Sequence, residues 1–203
     1  MKILGITGGI AAGKSTITRM FGTLGATVYS ADEDARAVLA PGTASLDAVF
    51  ALFPDVRKSD GSLDRAALAA RIFSDTADKA RLESITHPAI MARMRAVIAE
   101  ARQSDRPGIL AYEVPLLYER DIASMFDAVV VALSNSALQA ERLQAREAAA
   151  GRPPLTDAAI AERLAAQMPP EEKARRADYV IRTDVSLAET ESAIRDLWSH
   201  LTN

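Results

Sequence analysis

The chain has 203 residues, 49% hydrophobic and 25% charged, with a formal net charge of −3 and no cysteine. This length accommodates one α/β core with insertions but not two large independent domains, and the missing cysteine excludes disulfides, thiolate metal sites and cysteine nucleophiles. The slightly acidic balance excludes a whole-molecule basic field for nucleic acid, so any anion site must be local.

Taken in chain order, Lys2 to Thr7 reads as a short buried strand broken at once by Gly8 and Gly9, too early for a signal-peptide core. Helical spacing follows from Ser15 to Leu24, then a shorter strand from Thr27 to Ser30. Asp34 to Pro107 carries no strand pattern and reads as several helices, including one from Ala89 to Ala101. Gly108 to Glu113 and Asp127 to Leu133 read as central strands, the latter with the run Val129-Val130-Val131, and a helix is expected from Ser136 to Arg146. The stretch Arg142 to Arg176 starts on that helix and passes through Gly151-Arg152-Pro153-Pro154. It resumes at Thr156-Asp157 and ends near Pro169-Pro170, the pattern of a hinged helical flap. A strand from Asp178 to Arg182 and a helix from Leu187 to Leu201 complete the chain. Alternating strands and helices predict an α/β fold of three layers around a central parallel sheet. No run approaches the roughly 18 apolar residues of a membrane span. The expectation is a soluble, cytoplasmic protein with no membrane or nucleic-acid partner and no obligate protein partner.

Gly8-Gly9-Ile10-Ala11-Ala12-Gly13-Lys14-Ser15 matches G-x-x-x-x-G-K-[ST], directly after a strand and before a helix. Such a loop turns successive backbone N–H groups toward phosphate oxygens, and the helix adds its partial positive end. Gly9 to Thr16 are therefore the expected ATP contacts. Lys14 would reach the β- and γ-phosphates, and the Ser15 hydroxyl would ligate Mg²⁺.

The place of a guanine-reading N-K-x-D motif is taken by Ser134-Asn135-Ser136-Ala137, and the third strand ends in Glu113 rather than Asp. Both points favour a small-molecule kinase over a GTP switch or a motor ATPase. A kinase acting on a hydroxyl needs a carboxylate near the nucleophile and cations over the phosphoryl group in flight. Asp32, just past the second strand, is the candidate base, and it is equally placed to cap the next helix. Arg142 and Arg146, spaced i,i+4, share one helix face leading into the flap and would bring two guanidinium groups to the phosphates. The alternative pairs them with Glu141 or Glu147 on the surface.

Several segments together resemble the dephospho-CoA kinase family. They are Thr7 to Ile10 with Gly13 to Thr16, Ala31-Asp32 with Ala35-Arg36, Arg71-Ile72-Phe73, His87-Pro88, Val114 to Glu119, Arg142-Leu143 with Arg146, and Arg163 to Met168 followed by Ala177 to Ile181. The resemblance implies a P-loop NTPase fold of the nucleotide-monophosphate-kinase kind. Its core would cover about 1–33, 108–141 and 177–203, an acceptor-binding helical part about 34–107, and a lid about 142–176. It implies ATP and 3′-dephospho-CoA as substrates, Mg²⁺ as cofactor, and transfer of the γ-phosphoryl group to the ribose 3′-hydroxyl as the last step of CoA biosynthesis. Asp32 matches the second acid of the family's D-A-D motif, with Ser30 in place of the first. Pro115, Leu116, Tyr118 and Glu119 fall where the acceptor is bound, together with His87, whose neighbour Pro88 suggests a helix start. Ala11-Ala12 replaces a more usual Gly-Ser or Gly-Ala, a change compatible only with negative φ at both positions. Arg182-Thr183-Asp184 stands where the family often has Asn with small residues.

Overall fold

The computed structural model describes residues 1–202. In chain order the elements are β1 (Lys2–Gly8), α1 (Lys14–Thr23), β2 (Thr27–Ser30), α2 (Ala31–Ala37), α3 (Ala44–Leu52), α4 (Arg65–Ser74), α5 (Thr76–Gln103), β3 (Ile109–Glu113), β4 (Ala128–Leu133), α6 (Ser136–Ala149), α7 (Asp157–Ala165), α8 (Pro170–Arg176), β5 (Tyr179–Arg182) and α9 (Leu187–Thr202). They form two compact units, one of residues 1–30 with 101 onward and one of residues 31–100.

The first unit is built on a five-stranded sheet in the order β2-β3-β1-β4-β5, parallel throughout. Both faces of a parallel sheet are covered, which is why β1 and β4 read as nearly unbroken apolar runs. On one face Leu4, Ile6, Ile109, Val130 and Ile181 pack with Ile17 and Phe21 of α1 and Ile194 and Leu197 of α9. The other face carries Tyr112, stacked on Tyr29 and edge-on to Phe126.

Three strands begin one residue later than their apolar runs suggest, at Ile109, Ala128 and Tyr179. At two of them a carboxylate takes the place of a ladder acceptor. Asp127 Oδ2 accepts from Ile3 N at 2.8 Å and Asp178 Oδ2 from Val129 N at 2.7 Å. Both residues thus satisfy the amino-terminal edge of the sheet from just outside it.

The second unit is helical, with a core of Val38, Leu39, Val49, Phe53, Val56, Leu68 and Leu82. Its helix starts follow side-chain capping: Thr43 accepts from Leu46 N, Asp64 from Ala66 N and Ala67 N, and Asp75 from Ala77 N and Asp78 N. The cap at Asp75 corrects the expected helix from Ala89 to Ala101 and the reading of His87-Pro88 as a helix start. Pro88 lies inside α5. An interior proline removes one backbone donor at a cost of ~3 kcal/mol in an isolated helix. Here Ile85, Ala89 and Ile90 pack against the core on either side of it, and this burial carries the helix through.

Candidate active site

The phosphate loop joins the central strand β1 to α1. Gly13, the residue before the helix, has φ 87° and ψ 17°, a left-handed conformation that glycine adopts without strain. Ala11 also has positive φ, at 55°. The sequence-based expectation of negative φ there is therefore wrong: the loop must reverse at residue 11 whatever its side chain, and an alanine is held in the left-handed region at a cost of about 1 kcal/mol. The buried Lys14 donates from Nζ to the carbonyls of Gly8 at 3.2 Å and Gly9 at 2.8 Å. Ser15 is exposed on the first turn of α1, and Thr16 follows it, half-buried.

One rim of the loop is held by residues from the far side of the sheet. Thr183, just past β5, donates from Oγ1 to Ala12 O at 2.8 Å. Arg142 on α6 donates to Thr183 O at 2.7 Å, to Thr183 Oγ1 at 3.2 Å and to Ala11 O at 3.5 Å. Arg142 is thus beside the phosphate loop, and neither Glu141 nor Glu147 pairs with it. Arg146, one turn further on, is exposed. Glu147 instead binds Arg152 at 2.5 Å and Arg163 at 3.1 Å, joining α6, the Gly-Pro stretch and α7. The Arg152 bond, with that of Arg163, holds its carboxyl below the ordinary range.

The segment after β3 also has a structural task. Pro115 O accepts from Thr7 Oγ1 at 3.2 Å and from Lys173 Nζ at 3.0 Å. Lys173, with no exposed side-chain surface, lies 2.8 Å from Glu119 Oε1, and Met168 N donates to the same oxygen at 3.0 Å. Burial raises the Glu119 pKa, but the Lys173 bond and backbone donors outweigh it and hold the carboxyl below its ordinary value. Glu119 thus anchors α8 through its carboxylate. Leu116 is half-buried, as is Tyr118, whose hydroxyl is buried without a hydrogen-bond partner. Burial, then the charge of Asp178, pushes that phenol up.

Asp32 and His87 belong to the second unit. The helix α2 starts at Ala31, so Asp32 is its second residue and stands in the first turn rather than at the cap. His87 is half-buried on α5. Two residues beyond Asp32, Asp34 is 2% exposed and bonds Arg93 at 2.5 Å, while its Oδ2 has no hydrogen-bond partner. Burial raises its pKa against the opposing effect of Arg93.

Sequence reasoning missed Lys173, Thr183 and Gln139. Each is polar and buried, at 0%, 5% and 2% exposure, in segments that read as surface helix or strand end. The only available signal was their position beside the carboxyl edge of the sheet. Among the described residues no group of three or more His, Asp or Glu is placed to hold a metal ion. The exposed Ser15 hydroxyl at the helix start suits Mg²⁺, which keeps several waters and takes most other ligands from phosphates.

A parallel sheet whose central strand runs through a glycine loop and its lysine into a helix, with an arginine on the loop's rim, defines a P-loop phosphotransferase. The model of the dephospho-CoA kinase family matches residues 2–189. A dephospho-CoA kinase of Anaeromyxobacter dehalogenans is 43% identical over 182 residues, 89% of this chain and 83% of that protein. One from Geobacter sulfurreducens is 40% identical over 98% of both chains. The solved dephospho-CoA kinase of Campylobacter jejuni superposes with a TM-score of 0.74 at 26% identity, covering 100% of this chain and 98% of its own. The protein belongs to the dephospho-CoA kinase family.

Proposed function

We propose that this protein transfers the γ-phosphoryl group of ATP to the ribose 3′-hydroxyl of 3′-dephospho-CoA, giving CoA and ADP, the last step of CoA biosynthesis. The observation that carries the donor half is Lys14, held on the Gly8 and Gly9 carbonyls at the mouth of the loop. Family membership carries the acceptor half.

In the reaction the 3′-oxygen forms a bond to the γ-phosphorus as the bond to the β,γ-bridging oxygen breaks, and ADP leaves. The loop's N–H groups and the start of α1 bind the phosphates, and Lys14 places one positive charge on the β- and γ-oxygens. Mg²⁺ bound with ATP, with Ser15 as its protein ligand, would neutralise charge on the bridging side. Asp32 is assigned as the base that takes the hydroxyl proton. Arg142 supplies a guanidinium to the phosphates from its place on the loop's rim, and Arg146 does so from the next turn when residues 142–176 close over the site. Closure excludes water and with it wasteful hydrolysis. Pro115, Leu116, Tyr118 and His87 are assigned to the acceptor, with Glu119 shaping that segment through Lys173. The reading places the enzyme in the cytoplasm, and no described helix is long and apolar enough to cross a membrane.

Purified protein given Mg-ATP and 3′-dephospho-CoA should produce equal amounts of ADP and CoA. Turnover of a nucleoside or nucleotide acceptor, with none of 3′-dephospho-CoA, would sink the reading. Asp32→Asn should lower kcat about a hundredfold or more while leaving ATP affinity nearly unchanged. Full activity in that variant would remove Asp32 from the role.

A further inference from the structure

Gln139 lies on α6 one turn before Arg142, yet it points inward and is 2% exposed. Its Nε2 is buried without a hydrogen-bond partner. That nitrogen packs on Gly9 of the phosphate loop so closely that a Cβ there would meet it at 2.6 Å, with Pro170 at the start of α8 3.6 Å from the same point. A side chain at position 9 would displace the amide from this place. A buried donor with no acceptor destabilises the protein that contains it, and a methionine or leucine would fill the same space without that cost.

The residue on which it packs carries a carbonyl that already serves two donors. Gly9 O accepts from Lys14 Nζ at 2.8 Å and from Ala12 N at 3.2 Å. Lys14 is the group that a bound nucleotide draws onto its phosphates. Its departure takes the charged donor from a buried carbonyl at the residue on which Gln139 packs.

We propose that Gln139 is a positioning residue for phosphoryl transfer, its Nε2–H taking over the Gly9 carbonyl as Lys14 moves onto the phosphates. The exchange removes the competition between carbonyl and phosphate for the lysine, and it keeps the loop in one shape in both states. The unmatched donor of the unliganded protein is thereby matched in the bound one, so its cost in the free state favours binding. The inference rests on nucleotide binding at the Gly8 to Ser15 loop.

Isothermal titration of wild type, Gln139→Met and Gln139→Glu with MgATP and MgADP, alongside the Tm of each free protein, tests it. Gln139→Met should leave the free Tm equal or higher, while weakening both nucleotides about fivefold or more. Gln139→Glu keeps the shape but turns an acceptor toward the carbonyl, and should weaken both by about tenfold or more. An amide with a merely structural role would instead lower Tm on replacement by methionine and leave the Kd values alone. Kd values within about twofold of wild type in both variants overturn the proposal. A loss confined to MgATP overturns it as well, since the donor would then serve the γ-phosphate and not Gly9. No MgATP binding by the wild type would fail the nucleotide reading itself, an outcome distinct from normal wild-type binding with unaffected variants.

Discussion

Glu119 in the sheet unit and Asp34 in the helical unit are both ion-paired carboxylates, the first partly exposed and the second buried, and their pKa values move in opposite directions. Glu119 in the sheet unit receives the fully buried Lys173 ammonium and a backbone N–H, and its pKa falls although burial opposes the fall. Asp34 in the helical unit has one arginine, half-exposed, with its second oxygen unpartnered, and its pKa rises. The two differ both in burial and in donors: the Lys173 bond and backbone N–H groups outweigh desolvation at Glu119, whereas desolvation outweighs Arg93 at Asp34. The units differ in backbone strain too. The two non-glycine residues with positive φ among those described, Ala11 and Asp121, both lie in the sheet unit.

The sharpest test of this contrast is Lys173→Met, which takes the buried ammonium away from the partly exposed Glu119. It should cost about 2 kcal/mol in denaturant unfolding, less than a wholly buried pair because Glu119 keeps some contact with water. A loss below about 0.5 kcal/mol would break the comparison. Arg93→Met should cost only about 1 kcal/mol, because its guanidinium is half in water and Asp34 is already disposed to take a proton. On the strained side, Ala11→Gly should raise stability by about 0.5–1 kcal/mol, measured the same way, because glycine adopts that φ freely.

The smallest effect is in the pH dependence. The folded pKa of Glu119 lies below its ordinary 4.5, so its contribution is complete above that value and disappears as pH falls through the folded pKa. The folded pKa of Asp34 lies above its ordinary 3.8, so its contribution has the opposite sign, complete below that value and lost as pH rises through the folded pKa. Unfolding curves taken between neutral and acid pH should therefore show a shallower acid loss in Glu119→Gln and a steeper one in Asp34→Asn. Identical slopes in the two variants would contradict the contrast.

Much of the sheet unit was legible in the chain because its signals are local. A glycine loop with Lys14 and Ser15 needs only its flanking strand and helix, and the apolar runs of β1, β3 and β4 mark buried parallel strands wherever they lie. Where reading from sequence went astray, a distant group had intervened. Asp127 and Asp178 left their strands to accept N–H groups from neighbouring strands, and Pro88 stayed inside α5 because packing on both sides outweighs one lost hydrogen bond.

By itself, then, the sequence determined the chemistry the loop can support, since phosphate binding by successive backbone N–H groups is specified by glycines and a lysine a few residues apart. It also carried the family, through motifs spread along most of the chain. Only the tertiary structure decided which polar residues are buried and what they meet. Lys173 reaches Glu119 from 54 positions away and Thr183 reaches Ala12 from 171. Arg142 turned to Thr183 and the loop rather than to a neighbouring glutamate, Ala11 took a left-handed φ, and Gln139 came to lie on Gly9. These outcomes depend on donors and acceptors brought together by the β4 and β5 side of the sheet, and composition or spacing along the chain carries no record of them.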